Sequence, residues 1–162
     1  MALRAAARLL KNDPLVGPIP SMRVETDADI AALLATVKSV AVVGVSAKLD
    51  RPSYRVFEFW CQRNVNVTPV NPQLAGQTLC DRTVVARLSD IEQPIDLVDV
   101  FRAGHHLPAI VDEALAAGVG AIWTQLNVRH VQAEERVLAS GTRLVVDRCP
   151  VIEVPRLRRL GY

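Results

Sequence analysis

The residues able to do chemistry collect in short stretches, each just after an apolar run. They read Gly44-Val45-Ser46-Ala47-Lys48 with Arg51 close behind, then Asn71-Pro72, Phe101-Arg102, Thr124-Gln125 and Asp147-Arg148-Cys149. The first stretch has the parts of a phosphate-binding turn. Gly44 lets the backbone bend tightly, and Ser46 offers a hydroxyl. A helix start after it offers free N–H groups to an anion, and Lys48 and Arg51 add positive charge. The same residues also fit an ordinary strand-to-helix turn. For covalent chemistry the candidate is Cys149, whose thiol Arg148 could make more acidic; its alternative is a small buried residue. Asp99 and Asp147 lie near strand ends, where carboxylates can move protons or simply orient a loop. His105 and His106 precede a helix and suit a cap or an exposed pair, and His130 begins another helix.

The elements behind these stretches follow from hydrophobic period. Thr26 is positioned to cap a helix over 27–38, with Ile30, Leu33, Leu34 and Val37 at helical spacing. Near-continuous apolar runs at 40–45, 65–70 and 95–101 suit strands covered on both faces. Shorter strands are expected at 84–85, 121–123 and 143–147. Helices are expected from Pro52 or Ser53 to about Asn64, over 107–117 with Gly118 as a left-handed cap, and over 130–140 ending at Gly141. Phe57 and Trp60 then face the core. The basic residues Arg156, Arg158 and Arg159 read as a solvated tail. Strands alternating with helices imply crossover units. The expected fold is α/β, a Rossmann-like, three-layer, doubly wound domain with a mostly parallel sheet of five to six strands.

Such a sheet binds ligands beyond the carboxyl ends of its strands, where all the stretches above fall. A nicotinamide dinucleotide is the first candidate, but the G-x-G-x-x-G fingerprint is missing: Ser46 stands where the second Gly would admit the pyrophosphate. The second strand ends Val70-Asn71-Pro72, without the acid that would bind ribose hydroxyls. A ligand with a phosphorylated ribose fits that ending, and coenzyme A and NADP both qualify.

Taken together, Gly44-Val45-Ser46, Arg51-Pro52-Ser53-Tyr54, Val70-Asn71-Pro72, Asp99-Val100-Phe101-Arg102, Trp123-Thr124-Gln125 and Asp147-Arg148-Cys149-Pro150 resemble the small stand-alone CoA-binding protein family. That family is related to the CoA-binding domain of the succinyl-CoA synthetase alpha subunit. The likeness spans about 28–157. It implies coenzyme A or an acyl-CoA as ligand. Gly44, Ser46 and Ala47 would hold the pyrophosphate or its ribose. Asn71 and Pro72 would flank the adenosine, and Phe101 and Arg102 would line the site. Lys48, Arg51, Ser53, Tyr54 and Gln125 complete the candidate site, Arg51 as a phosphate contact on charge and position. Val45, Leu49 and Asn127 stand where the family usually has Ala, Pro and Gly; Asn tolerates the left-handed conformation well. The family's ligase relatives carry their phosphorylated His in a further domain, so a non-catalytic carrier, sensor or partner module is expected here. The alternative is an NADP-dependent oxidoreductase with a degenerate fingerprint.

Composition sets the outer bounds. The 162 residues fit one domain by the usual ~100–200. Half are apolar, 22% are charged, and the net charge of +2 argues against disorder and against nucleic acid as partner. No apolar run nears the ~18 residues of a membrane span. Three separated cysteines suit a reducing compartment, the cytoplasm, rather than a disulfide framework or a zinc site. Residues 1–25 read as an N-terminal arm and 26–162 as the CoA-binding domain. Arg4, Arg8 and Lys11, with no acid before Asp13, leave the arm as a flexible segment, a contact for a second copy, or a mitochondrial targeting segment.

Overall fold

The computed structural model describes residues 22–162; the arm and targeting readings for 1–21 fall outside that range. Five parallel strands form one sheet: β1 (Ser39–Val43), β2 (Asn66–Val70), β5 (Leu97–Val100), β6 (Ala121–Thr124) and β7 (Arg143–Val145), in the order β2-β1-β5-β6-β7. A small antiparallel pair, β3 (Thr78–Leu79) and β4 (Arg82–Thr83), lies apart. Among the described residues five α-helices complete the fold: α1 (Asp27–Thr36), α2 (Pro52–Cys61), α3 (Leu107–Ala116), α4 (Val131–Ala139) and α5 (Pro150–Arg159). With β1 inside the sheet, β2 on one side of it and β5, β6 and β7 on the other, the order is that of a doubly wound sheet.

Period-2 alternation in the strands builds the layers. Val40, Val42, Leu97 and Trp123 turn to one face, under Ile30 and Leu33 of α1, Phe57 and Trp60 of α2, and Leu157 of α5. Ala41, Val98, Val100, Ile122 and Leu144 turn to the other, under Leu107, Ile110 and Val111 of α3 and Ala133 and Val137 of α4. The sheet is apolar on both faces because both are covered. At its free edge Val24 donates to the Leu144 carbonyl and Leu144 to that of Met22, so residues 22–24 run along β7.

Local signals hold at most element ends. Thr26 caps α1, its Oγ1 accepting from the Asp29 N–H at 3.1 Å. Gly118, Gly141 and Asn127 all take positive φ, Asn127 at 64°. Two expectations need correction. The strand expected at 84–85 is displaced to β3 and β4, because Cys80 and Asp81 take φ of 45° and 58° and close a tight hairpin. Val85 keeps a single bridge to Val70. The supposed basic tail is helix α5. Its exposed Pro155 leaves the carbonyl four residues back, on the exposed Val151, to water. No described helix is long and apolar enough to cross a membrane.

Candidate functional site

Parallel register levels the strand ends. Val43 pairs with Val70 on one side and Val100 on the other, and Val100 pairs with Thr124. Gly44, Asn71, Phe101 and Gln125 therefore leave the sheet from one edge. Gly44 turns the chain at φ +86°, which an L side chain rarely adopts. A Cβ there would stand 2.8 Å from Arg102 Cδ and 2.9 Å from the Phe101 carbonyl oxygen. The glycine thus permits both the turn and the close approach of Arg102.

The loop from Gly44 to α2 is organised by its own serines. The Ser46 N–H donates to Ser53 Oγ at 3.1 Å, and the Lys48 N–H donates to Ser46 Oγ at 3.1 Å. Both hydroxyls thus shape the loop first. Arg51 is the N-cap of α2 without a side-chain cap bond, Pro52 opens the helix, and no acid lies in its first turn. The positive end of the helix dipole is therefore left for an outside anion. Ala47, Lys48 and Arg51 are exposed around it. Tyr54 points away, its hydroxyl 3.5 Å from Cys80 Sγ and its ring edge-on to Phe57. The hydrogen bond to Cys80, with burial, pushes its phenol up to about 12.

Beside this loop lies a cavity of about 550 Å³. It is lined by Gly44, Asn71 and Pro72 on one side and by Arg102, His106 and Ile110 on the other, with Arg87 and Ser89 at its border. Asn71 fixes the rim: its Nδ2 donates to the Val45 carbonyl at 2.8 Å and its Oδ1 accepts from the Gln73 N–H at 2.9 Å. The lone lining carboxylate, Glu113, accepts from the backbone N–H of Leu88 at 2.6 Å and Ser89 at 3.4 Å. Among the described residues Lys48, Arg51, Arg87 and Arg102 make no ion pair.

The sequence-derived residues thus divide. Gly44, Asn71, Pro72 and Arg102 line the cavity, whereas Ser46, Ala47, Lys48, Arg51 and Ser53 form the loop and helix start next to it. Phe101 packs against the core. Gln125 is buried and turned inward, its Nε2 donating to Asp99 Oδ1 at 2.6 Å, while Trp60 Nε1 donates to Asp99 Oδ2 at 2.9 Å. Burial pushes the Asp99 carboxyl up to about 6 against the pull of these two bonds. Burial also pushes the Cys149 thiol up, so the acidifying effect expected of Arg148 does not prevail. Arg148 is engaged elsewhere, pairing with Glu153 at 3.3 Å. His130 is a helix cap, its Nδ1 accepting from the Ala133 N–H. Sequence reasoning missed Arg87 and His106. Arg87 sits in a stretch without clear period. His106 carried one usable signal, its place four residues after Arg102.

A family model described as a CoA binding domain matches residues 38–155. The chain belongs to that CoA-binding domain family. The uncharacterized protein YneT of Bacillus subtilis is 30% identical over 128 residues, 79% of this chain and 93% of its own. Among the similar solved structures with a TM-score of 0.79 are these two. "Cell-free ID.343" from Thermus thermophilus is 34% identical, covering 82% of this chain and 99% of that one. A hypothetical protein from Pyrococcus horikoshii is 29% identical, covering 88% and 99%. A dinucleotide-forming acetyl-coenzyme A synthetase from Ca. Korarchaeum cryptofilum shares the fold over 66% of this chain and 25% of its own, at 19% identity and TM-score 0.54.

Proposed function

We propose that this CoA-binding domain holds coenzyme A or an acyl-CoA along the carboxyl edge of its sheet. The pyrophosphate would lie over Gly44, Ser46 and Ala47, against the start of α2, with Lys48 and Arg51 neutralising it. The adenosine would enter the cavity beside Asn71 and Pro72, with Arg102 on its far wall. The observation that carries this reading is the charge pattern. Four cationic side chains without ion pairs among the described residues surround one cavity and one open helix N-terminus, and the cavity's carboxylate is engaged with backbone N–H groups. That is an anion site in search of phosphates. Ser53, Tyr54, Phe101 and Gln125 support it from behind rather than by touching ligand.

The role we infer is a carrier, sensor or partner module of the cytoplasm, not a catalyst. Burial pushes the Cys149 thiol up and the Cys61 thiol up to about 12, which disfavours a nucleophilic thiolate at those two positions. Calorimetric titration with coenzyme A and NADPH in parallel tests the reading. Coenzyme A is expected to bind, with affinity reduced about tenfold by Arg51→Ala, the loss of one charge-assisted phosphate contact. Acetyl-CoA is expected to bind and remain intact on prolonged incubation. Binding of NADPH with coenzyme A silent would overturn the proposal in favour of the oxidoreductase alternative.

A further inference from the structure

One wall of the cavity carries a cation and an imidazole in direct contact. Arg102 leaves the end of β5, and His106 follows in the short 3₁₀ turn Gly104–His106. Gly104 holds that turn against the Arg129 carbonyl, where a Cβ would collide. Arg102 Nη2 lies 3.2 Å from His106 Nε2. A guanidinium has no acceptor, so in this contact Arg102 donates and Nε2 is unprotonated. His106 is therefore neutral, with its proton on Nδ1. Burial, then the charges of Arg102 and His105, keep it below the usual imidazole range.

The surroundings are built for a guest of high negative charge. The stem of Arg102 runs where a Cβ on Gly44 would meet its Cδ and Cγ, so the glycine sets its path. Arg87 faces the same cavity and has no ion pair among the described residues. Glu113 from α3 is engaged with backbone N–H groups. The His105 ring lies 4.0 Å from that of His106. These three groups, with Arg102, set the field on His106. Of the phosphates on a nucleotide, a monoester carries most charge, about −1.5 to −2 near neutral pH.

We propose that Arg102 and His106 seat the phosphate monoester on the ligand's ribose, and that His106 takes up a proton from solvent as that phosphate arrives. Arg102 then donates to a phosphate oxygen instead of to the imidazole. The freed Nε2 lone pair faces the phosphate and binds the proton, and the contact becomes a charge-assisted hydrogen bond. No other bond forms or breaks. This inference rests on the coenzyme A reading, because that ligand's ribose carries such a phosphate. It gives the site a reason to distinguish coenzyme A from its dephosphorylated form, and makes the affinity proton-linked.

The test is calorimetry on the full chain, in phosphate-free buffers of low and high ionisation enthalpy. The probes are coenzyme A, dephospho-CoA and adenosine 3′,5′-bisphosphate. Coenzyme A and the bisphosphate are expected to bind with net proton uptake. Their affinity should fall several-fold between about pH 6.5 and about pH 8, as His106 must be charged from an ever more neutral state. Dephospho-CoA should bind without uptake. A phosphate losing its own last proton to the site would give proton release, the opposite sign. His106→Gln keeps an acceptor for Arg102 but cannot take the proton. It should weaken coenzyme A about tenfold at the acid end of that range, flatten the pH profile and leave dephospho-CoA unchanged. Coenzyme A binding without uptake, or an unaltered profile in His106→Gln, would overturn the inference while the coenzyme A reading stands. Failure of all three probes to bind would overturn both.

Discussion

Gly44 and Asp99 show two ways a single residue conditions the site. Gly44 lies at φ +86° with Arg102 and the Phe101 carbonyl pressed against its α-carbon. Gly44→Ala is expected to destabilise the protein by about 1–3 kcal/mol in urea unfolding, since a left-handed β-carbon is both strained and crowded there. It should weaken coenzyme A as well, because Arg102 must move. Asp99 acts from beneath. Its carboxyl, raised from 3.8 to about 6 by burial, binds a proton more tightly in the folded chain than in the unfolded one. Stability therefore falls as pH rises from about 4 to about 6, and is level above that. The drop approaches about 3 kcal/mol, two pKa units of differential proton binding. Asp99→Asn should remove this dependence, with the Gln125 amide turning to accept from the new side chain. Unfolding midpoints measured across that pH range would show whether the slope disappears.

At the scale of elements, buried carboxylates tie the helices to the sheet's edges. Glu134 of α4 accepts from Arg129 at 2.8 and 3.0 Å, from Arg23 at 3.3 Å and from the His130 N–H at 3.2 Å. Burial pushes its carboxyl up, but these bonds prevail and hold it below the ordinary value. The stability it supplies is therefore present above its unfolded pKa and lost as pH falls through the folded one. Glu134→Ala is expected to cost about 2 kcal/mol, the range for charge-assisted bonds with partly exposed partners. Hydrogen exchange should rise first in the 126–130 loop and along residues 22–24. Most elements were legible in the sequence because period and punctuation agreed, as at Thr26, Pro52 and Gly118. Helix α5 was not. Its arginines read as a solvated tail, because what holds the helix is distant in sequence: Arg156 reaches Asp27 of α1 as well as Glu153. The β3–β4 hairpin was hidden because Cys80-Asp81 lacks the Asn-Gly or Gly that usually marks such a turn. The tip residues Gly44, Asn71 and Arg102 were legible because apolar strands end abruptly there. Gln125 and Ser53 were found, but sequence could not tell that one turns inward and the other bonds a loop.

The whole molecule makes the site by alignment rather than by any one motif. Four strand ends brought level place residues 44, 71, 101 and 125 on one edge. A ligand that bridges several of these loops stabilises the folded chain as a unit. At a hundredfold excess over its Kd, coenzyme A should add about 2.7 kcal/mol. For a domain of this size, that raises Tm by roughly 5–10 °C in calorimetric scans. Added salt should weaken binding, since exposed cations supply much of the attraction. The proposed seat of coenzyme A along this one edge can be read from backbone amide resonances of isotope-labelled protein as coenzyme A is added. Shifts are expected to concentrate at residues 44–53, 71–72, 86–89 and 101–106, with β7 and α5 unmoved. Shifts confined to the opposite end of the sheet, or none at saturating coenzyme A, would contradict that seat.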